Sequence, residues 1–165
     1  MGLEIERKFL VADDRWRNAV TYSERMLDGL IARFGESKVR VRIAGETASL
    51  TVKGPRKGLG RAEFEYEVPL SEATDMLATL CDGPLVEKTR YLVPHGDVTW
   101  QIDVHEGLLE GLILAEVELE HEDQVFARPE WIGPEVTGDP QYKKANIFAH
   151  HSKAPEHSND LKQST

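Results

Sequence analysis

One cysteine, Cys81, is present in the 165 residues, which excludes an internal disulfide framework and an all-thiolate zinc site. No apolar run approaches the roughly 18 residues of a membrane span, and the amino terminus is charged from Glu4, so neither a bilayer-crossing segment nor a secretory signal is expected. Position 6 is Glu rather than Ser or Thr, which removes the myristoylation pattern. Basic residues are in deficit, 20 against 29 acidic, for a formal net charge of -9. Phosphate backbones are held by basic surfaces, so nucleic acid is excluded as a general partner, though a concentrated basic site inside an acidic shell is not. The expectation is a cytoplasmic protein with no membrane partner. It has one domain over residues 1–150 and a polar, disordered tail over 151–165.

What the chain does have is alternation. Leu3, Ile5 and Phe9 share one parity of the first segment, with Glu4, Glu6 and Lys8 on the other, and period two reads as a strand. Asp13 is expected to cap a short helical turn through Trp16, and a second strand to start at Gly29. Residues 39–43 and 48–53 alternate about a Gly45-Glu46 turn, a hairpin signal. Residues 54–60 are glycine-rich and read as a mobile loop, more simply a hairpin connection or rim than a phosphate loop, because the spacing of a P-loop is missing. A strand over 61–68 follows. The clearest helix is next, with Ser71 as its cap, Ala73, Met76, Leu77 and Leu80 at helical spacing, and Gly83-Pro84 as its stop. Strand signals return at 86–94, 99–105 and 112–120, joined by short turns. Residues 123–126 read as weakly helical, and Asp139-Pro140 as the start of a helix toward Ala149.

The polar parity of these strands is almost entirely charged. It carries Glu4, Glu6, Glu63, Glu65, Asp103, Glu116 and Glu118, and against them Lys8, Arg40, Arg42, Lys53, Lys88 and Arg90: seven carboxylates and six cations. A solvent face paired across strands is the ordinary reading of any one such segment. Across the set it weakens, because like-charged doublets recur (Glu4 and Glu6, Glu63 and Glu65, Glu116 and Glu118), each about 6–7 Å apart along a strand. Such density needs counter-ions. Mg²⁺ or Mn²⁺ favours oxygen ligands, and the Arg and Lys doublets suit an anion with many oxygens. Closing about eight such strands into an antiparallel barrel, mainly β within an α+β class, would make the charged parity a tunnel of near-balanced charge with helices packed outside.

The opening Glu4-Ile5-Glu6-Arg7-Lys8 resembles the ExExK signature of the triphosphate tunnel metalloenzymes, the CYTH superfamily, and in particular its short bacterial-type inorganic triphosphatases. The resemblance continues through Arg40-Val41-Arg42, Thr51-Val52-Lys53, Glu63-Phe64-Glu65, Lys88-Thr89-Arg90, Asp103 and Glu116-Val117-Glu118 to Tyr142, about residues 3–149. It implies a closed eight-stranded tunnel that hydrolyses a triphosphate-containing small molecule with a divalent metal, Mg²⁺ or Mn²⁺. It also implies that Glu4, Glu6, Glu116 and Glu118 are metal ligands, joined by Glu63, Glu65 and Asp103 as ligands or water-positioning groups. Lys8, Arg40, Arg42, Lys53, Lys88 and Arg90 are implied as the phosphate cradle, with Lys88 or Arg90 offsetting charge on the leaving pyrophosphate; the catalytic set is Glu4, Glu6, Lys88, Glu116 and Glu118. A homodimer is compatible with the sequence.

Two positions depart from the family. Leu30-Ile31 stands where several members carry a tyrosine, which puts a tyrosine-dependent step in doubt, and Lys143-Lys144 precedes Asn146 on the terminal segment, where both read more simply as solvent lysines. The six histidines match no zinc spacing, and Trp16, Trp100 and Trp131 read as packing. With no aromatic cluster beside the charged motifs, inorganic triphosphate is the favoured substrate. ATP cyclisation, hydrolysis of an organic triphosphate and a non-catalytic polyphosphate-binding module are the alternatives.

Overall fold

A computed structural model describes residues 2–144 and 146–152. The expected tail therefore lies almost entirely outside the described residues. The strands are β1 (Leu3–Val11), β2 (Tyr22–Phe34), β3 (Ser37–Ala44), β4 (Thr47–Lys57), β5 (Gly60–Val68), β6 (Val86–His95), β7 (Val98–His105), β8 (Ile113–Glu118) and β9 (Ile132–Glu135); the helices are α1 (Leu70–Thr79) and α2 (Ile147–His151). Neighbours run β5-β4-β3-β2-β6-β7-β8-β1, and β1 pairs back with β5, which closes an eight-stranded antiparallel barrel. The first half of β1, Leu3 to Ile5, meets β5, and β9 pairs with its far end at Phe9 and Val11. No helix among the described residues is long and apolar enough to cross a membrane.

Register turns strand parity into a lumen, because residues directly opposite in neighbouring antiparallel strands face the same side. Arg33, Lys38, Lys53 and Glu63 form one cross-strand row, and Leu30, Arg40, Thr51 and Glu65 the next. On β1, Glu6 stands opposite Glu118, and Lys8 opposite Glu116. The outward parity is covered in patches. Phe9, Trp16, Trp100, Ile102, Val117 and Trp131 form the largest, with Phe9 edge-on to Trp100 at 5.3 Å, so the tryptophans do pack. Helix α1 covers Val41 and Ala48 with Ala73 and Leu77. Helix α2 instead lies on the lumen side, where Ile147 packs with Leu109, Leu114 and Val136 and lines the tunnel.

The local expectations fared unevenly. β2 begins at Tyr22, seven residues before Gly29. Residues 54–60 are the expected hairpin connection, but more of them is strand than the glycines suggest: β4 runs to Lys57 and β5 starts at Gly60, with a bulge between Lys53 and Arg56. Ser71 caps nothing; α1 begins at Leu70 behind Pro69, with no side-chain cap. Residues 123–126 form no helix, only a turn closed by Gln124 N donating to His121 O. Asp139 accepts from Gln141 N as a cap should, but it opens a 3₁₀ turn, Pro140–Tyr142, separate from α2. β9 was not anticipated, because Pro134 within four residues masks a strand signal.

Gly29 shows how tightly α1 sits on the barrel. A Cβ there would lie 2.3 Å from Cys81 Sγ and 2.8 Å from Leu77 Cδ2, so the strand and the helix end approach at a distance that only glycine allows. Gly29→Ala is expected to destabilise the fold by about 1–3 kcal/mol through overpacking. Urea denaturation checks this, and an unchanged midpoint would contradict the packing.

Candidate active site

Two chambers of about 280 and 250 Å³ occupy the lumen. Four residues line both, Lys8, Arg33, Lys38 and Lys144, and all four are basic, so the passage between the chambers is a ring of cations. Ten basic and seven acidic side chains line the two together. Counted with the lumen-parity Glu4, Glu63, Glu65, Glu118, Arg42 and Arg90, which line neither chamber, the tunnel stays near balance; the cationic excess is local to the two chambers, where Arg33, Lys38, Arg56, Arg61 and Lys144 join the lining.

Glu4, Glu6, Glu116 and Glu118 influence one another from adjacent strands. Burial, then Glu116 and Glu4, push the Glu6 carboxyl up to about 8, and burial, Glu4 and Glu6 raise Glu118. Glu116 is the exception: against the effect of its burial, Lys8 at 3.8 Å and Lys144 hold it well below the usual carboxylate range. Lys53 lies 3.0 Å from Glu4, and Arg56 3.6 Å from Glu6. The other three implied ligands have different partners. Glu63 lies 4.0 Å from Lys53, the exposed Glu65 accepts from Ser49 Oγ, and Asp103 accepts from both Lys88 and Arg90. Among the described residues, no three His, Cys, Asp or Glu side chains stand in metal-holding geometry.

The cations divide into two groups. Arg42 donates through Nε and Nη2 to Asp28 at 2.6 and 2.8 Å, and Arg90 forms the same fork on Asp103, which also takes Lys88 at 2.8 Å. Their partners hold both aspartates below the usual range despite burial. Asp28 was not identified from sequence, since β2 was read to begin one residue after it. Arg40, by contrast, is buried with its Nε lacking any partner among the described residues, and Nη2 reaches Thr51 Oγ1 at 3.3 Å. Lys144 is no solvent lysine: it lines both chambers, and burial with Lys88, Arg40 and Lys53 lowers its ammonium well below the ordinary value. Lys38 is pushed down to about 7 by burial and by Lys53, Arg61, Arg40 and Lys8. One side of the inner chamber is apolar, with Leu30, Val86, Leu114, Ile147 and Phe148. His105 is buried there, donating Nδ1 to the Leu112 carbonyl at 3.0 Å.

A wall of carboxylate oxygens stands on one side of the closed barrel, and on the other a buried guanidinium whose Nε has no partner among the described residues, an arrangement that suits a cation on the first and an anion on the second. Residues 2–150 match the CYTH domain, and the chain belongs to that family. It is 43% identical over 150 residues to a protein of Acetivibrio thermocellus named inorganic triphosphatase, covering 89% of this chain and 94% of that one. A Nitrosomonas europaea protein of the same name is 37% identical over 145 residues, covering 85% and 93%. A crystal structure described as an inorganic triphosphatase aligns with a TM-score of 0.63 and 33% identity over 92% of this chain and 99% of that one. A family of triphosphatases implies a divalent metal, and the donor chemistry suits one: Glu4, Glu6, Glu116 and Glu118 offer carboxylate oxygens, and burial, then Glu116 and Glu4, disfavour the charged form of Glu6.

Lys38 supplies a direct check on the cationic excess. At pH 8 an ammonium with a pKa of about 7 is mostly neutral, and an entering polyanion favours its charged form, so Lys38 takes up a proton on binding. Calorimetry of tripolyphosphate binding at pH 8, without metal and in buffers of different ionisation enthalpy, should show more proton uptake (or less release) in the wild type than in Lys38→Met. The same proton balance in both would contradict the crowding of cations about Lys38.

Proposed function

We propose that this chain hydrolyses inorganic triphosphate to pyrophosphate and phosphate inside its tunnel, as a divalent-metal-dependent phosphoanhydride hydrolase. The observation that carries the reading is Arg40, buried with an unpaired Nε in a chamber with an excess of cations. A buried polar atom without a partner is costly, and a phosphate oxygen satisfies it. Phosphoryl transfer asks for positioning and charge neutralisation rather than a covalent nucleophile, and the lining suits that.

Lys8, Arg40, Lys88 and Lys144 hold the anion, with Lys38 and Arg33 at the passage between the chambers. Arg42 and Arg90 act one step back: forked onto Asp28 and Asp103, they fix those aspartates, and Asp103 in turn orients Lys88. Lys88 then offsets the charge that develops on the leaving pyrophosphate. Glu4, Glu6, Glu116 and Glu118 would hold Mg²⁺ or Mn²⁺, which would neutralise phosphate oxygens and activate water. Glu63 supports this wall through Lys53. Leu30 lines the chamber where several family members place a tyrosine, so no phenol hydroxyl enters the reaction at that position.

A second reading has its own observation. The apolar side of the inner chamber, with Phe148 and Leu114, could receive the organic part of a substituted triphosphate. Phosphate release measured in parallel from inorganic triphosphate, ATP and thiamine triphosphate, each with Mg²⁺, Mn²⁺ or chelator, separates the two. Fast metal-dependent release from the inorganic substrate, with little from the others, is expected. Preference for an organic triphosphate would overturn the reading. Glu4→Gln and Glu116→Gln should each lower kcat by about 100-fold or more with the barrel still folded. Arg40→Ala should weaken tripolyphosphate affinity by about tenfold or more, and an unchanged affinity would remove Arg40 from the cradle.

A further inference from the structure

We propose that Glu122 is a positioning residue for this reaction: it latches the tip of the β4–β5 hairpin and so fixes Arg56 at the tunnel mouth beside Glu6. The proposal rests on the triphosphatase reading.

The hairpin tip is built to be aimed. Its register passes from Lys53 opposite Glu63 to Arg56 opposite Arg61, so Gly54 and Pro55 together face the single residue Ala62. A bulge of this kind bends the strand and increases its local twist. Beyond it, Arg56 and Arg61 line the outer chamber. Arg61 is tied down, donating to the Gly54 carbonyl at 3.0 and 2.7 Å and to the Glu36 carbonyl at 3.1 Å. Arg56 is set through Leu59, whose carbonyl accepts from Arg56 Nη1 at 3.3 Å and from Glu6 N at 3.4 Å. Leu59 is in turn held by Glu122, which accepts from its backbone N–H through Oε1 at 2.9 Å.

Glu122 comes from the turn after β8, 63 residues along the chain from Leu59. It fits closely: Gly58 has φ +62, and a Cβ there would stand 2.6 Å from Glu122 Oε1. Because Glu122 works on a backbone amide, it takes no cation from the mouth. Arg56 keeps its guanidinium for Glu6, 3.6 Å away, and for the chamber. Releasing the latch leaves Leu59 on the long bond from Glu6 N alone, and loosens with it the only carbonyl that the structure shows holding Arg56 among the described residues. The loss falls on capture of the anion and not on the chemical step.

The test uses the full chain and compares Glu122→Ala, Glu122→Gln, Arg56→Ala and the Glu122→Ala/Arg56→Ala double variant. The readouts are hydrogen exchange at the Leu59 amide, metal-free tripolyphosphate affinity by calorimetry, and KM and kcat for inorganic triphosphate. Glu122→Ala should speed Leu59 exchange, weaken affinity and raise KM by about five- to tenfold, with kcat within about twofold. Glu122→Gln, whose amide oxygen can still accept, should behave as wild type, and the alanine should add nothing once Arg56 is gone. Unchanged affinity in Glu122→Ala, or effects that multiply in the double variant, would overturn the proposal. If Glu122→Ala does not fold, Glu122→Asp, whose carboxylate falls one methylene short of the Leu59 amide, must give the same pattern. A wild-type chain that leaves inorganic triphosphate intact sinks the triphosphatase reading, while exchange at Leu59 and anion affinity still decide the latch.

Discussion

Lys88, Lys38, Lys144 and Arg40 share one barrel lumen, where repulsion between like charges is felt at a lower effective dielectric than in bulk water. A barrel that buries such a set must supply counter-charge or leave the cations poised to lose protons. This chain does both. Asp28 and Asp103 offset Arg42 and Arg90 within the protein, in forked hydrogen bonds that excuse much of the desolvation cost, and Asp103 is shared with Lys88. Lys38 and Lys144 are left with lowered pKa values, and Arg40 with an empty donor.

The opposite wall has the mirror-image difficulty. Glu4 and Glu6 from β1 and Glu116 and Glu118 from β8 crowd one another, and Glu6 responds by holding its proton to about pH 8. Lys53 and Arg56 relieve part of this. A divalent cation on this wall and a polyphosphate on the other would each answer the other's excess, which is why the two halves of the site make chemical sense only together. Closure of the barrel through β1 and β5 brings the halves face to face.

Much of this was legible in the sequence because strand parity survives folding. Glu4, Glu6, Lys8, Arg40, Lys53, Lys88, Asp103 and Glu116 are buried or half-buried on the lumen side, and the ExExK opening pointed to the family. The omissions have physical causes. Lys38 and Asp28 each lie one residue outside a segment whose apolar alternation is clear, so parity was not extended to them. Lys144 belongs to no regular element, so no strand or helix period could mark it as lining the chambers. Arg56 sits beyond a bulge, where two-residue periodicity breaks. Which cations are free and which are spoken for was out of reach, because that depends on Asp28 and Asp103 meeting partners 14, 13 and 15 residues away across the sheet.

The central claim is that the tunnel is an anion site whose unpaired donors await phosphate oxygens. Diffraction from crystals soaked with tripolyphosphate in the presence of chelator tests it most directly. The account predicts the anion inside the lumen, with a phosphate oxygen on Arg40 Nε and others within reach of Lys8, Lys88 and Lys144. Tripolyphosphate bound on the outer surface, with the lumen holding water alone, would contradict it.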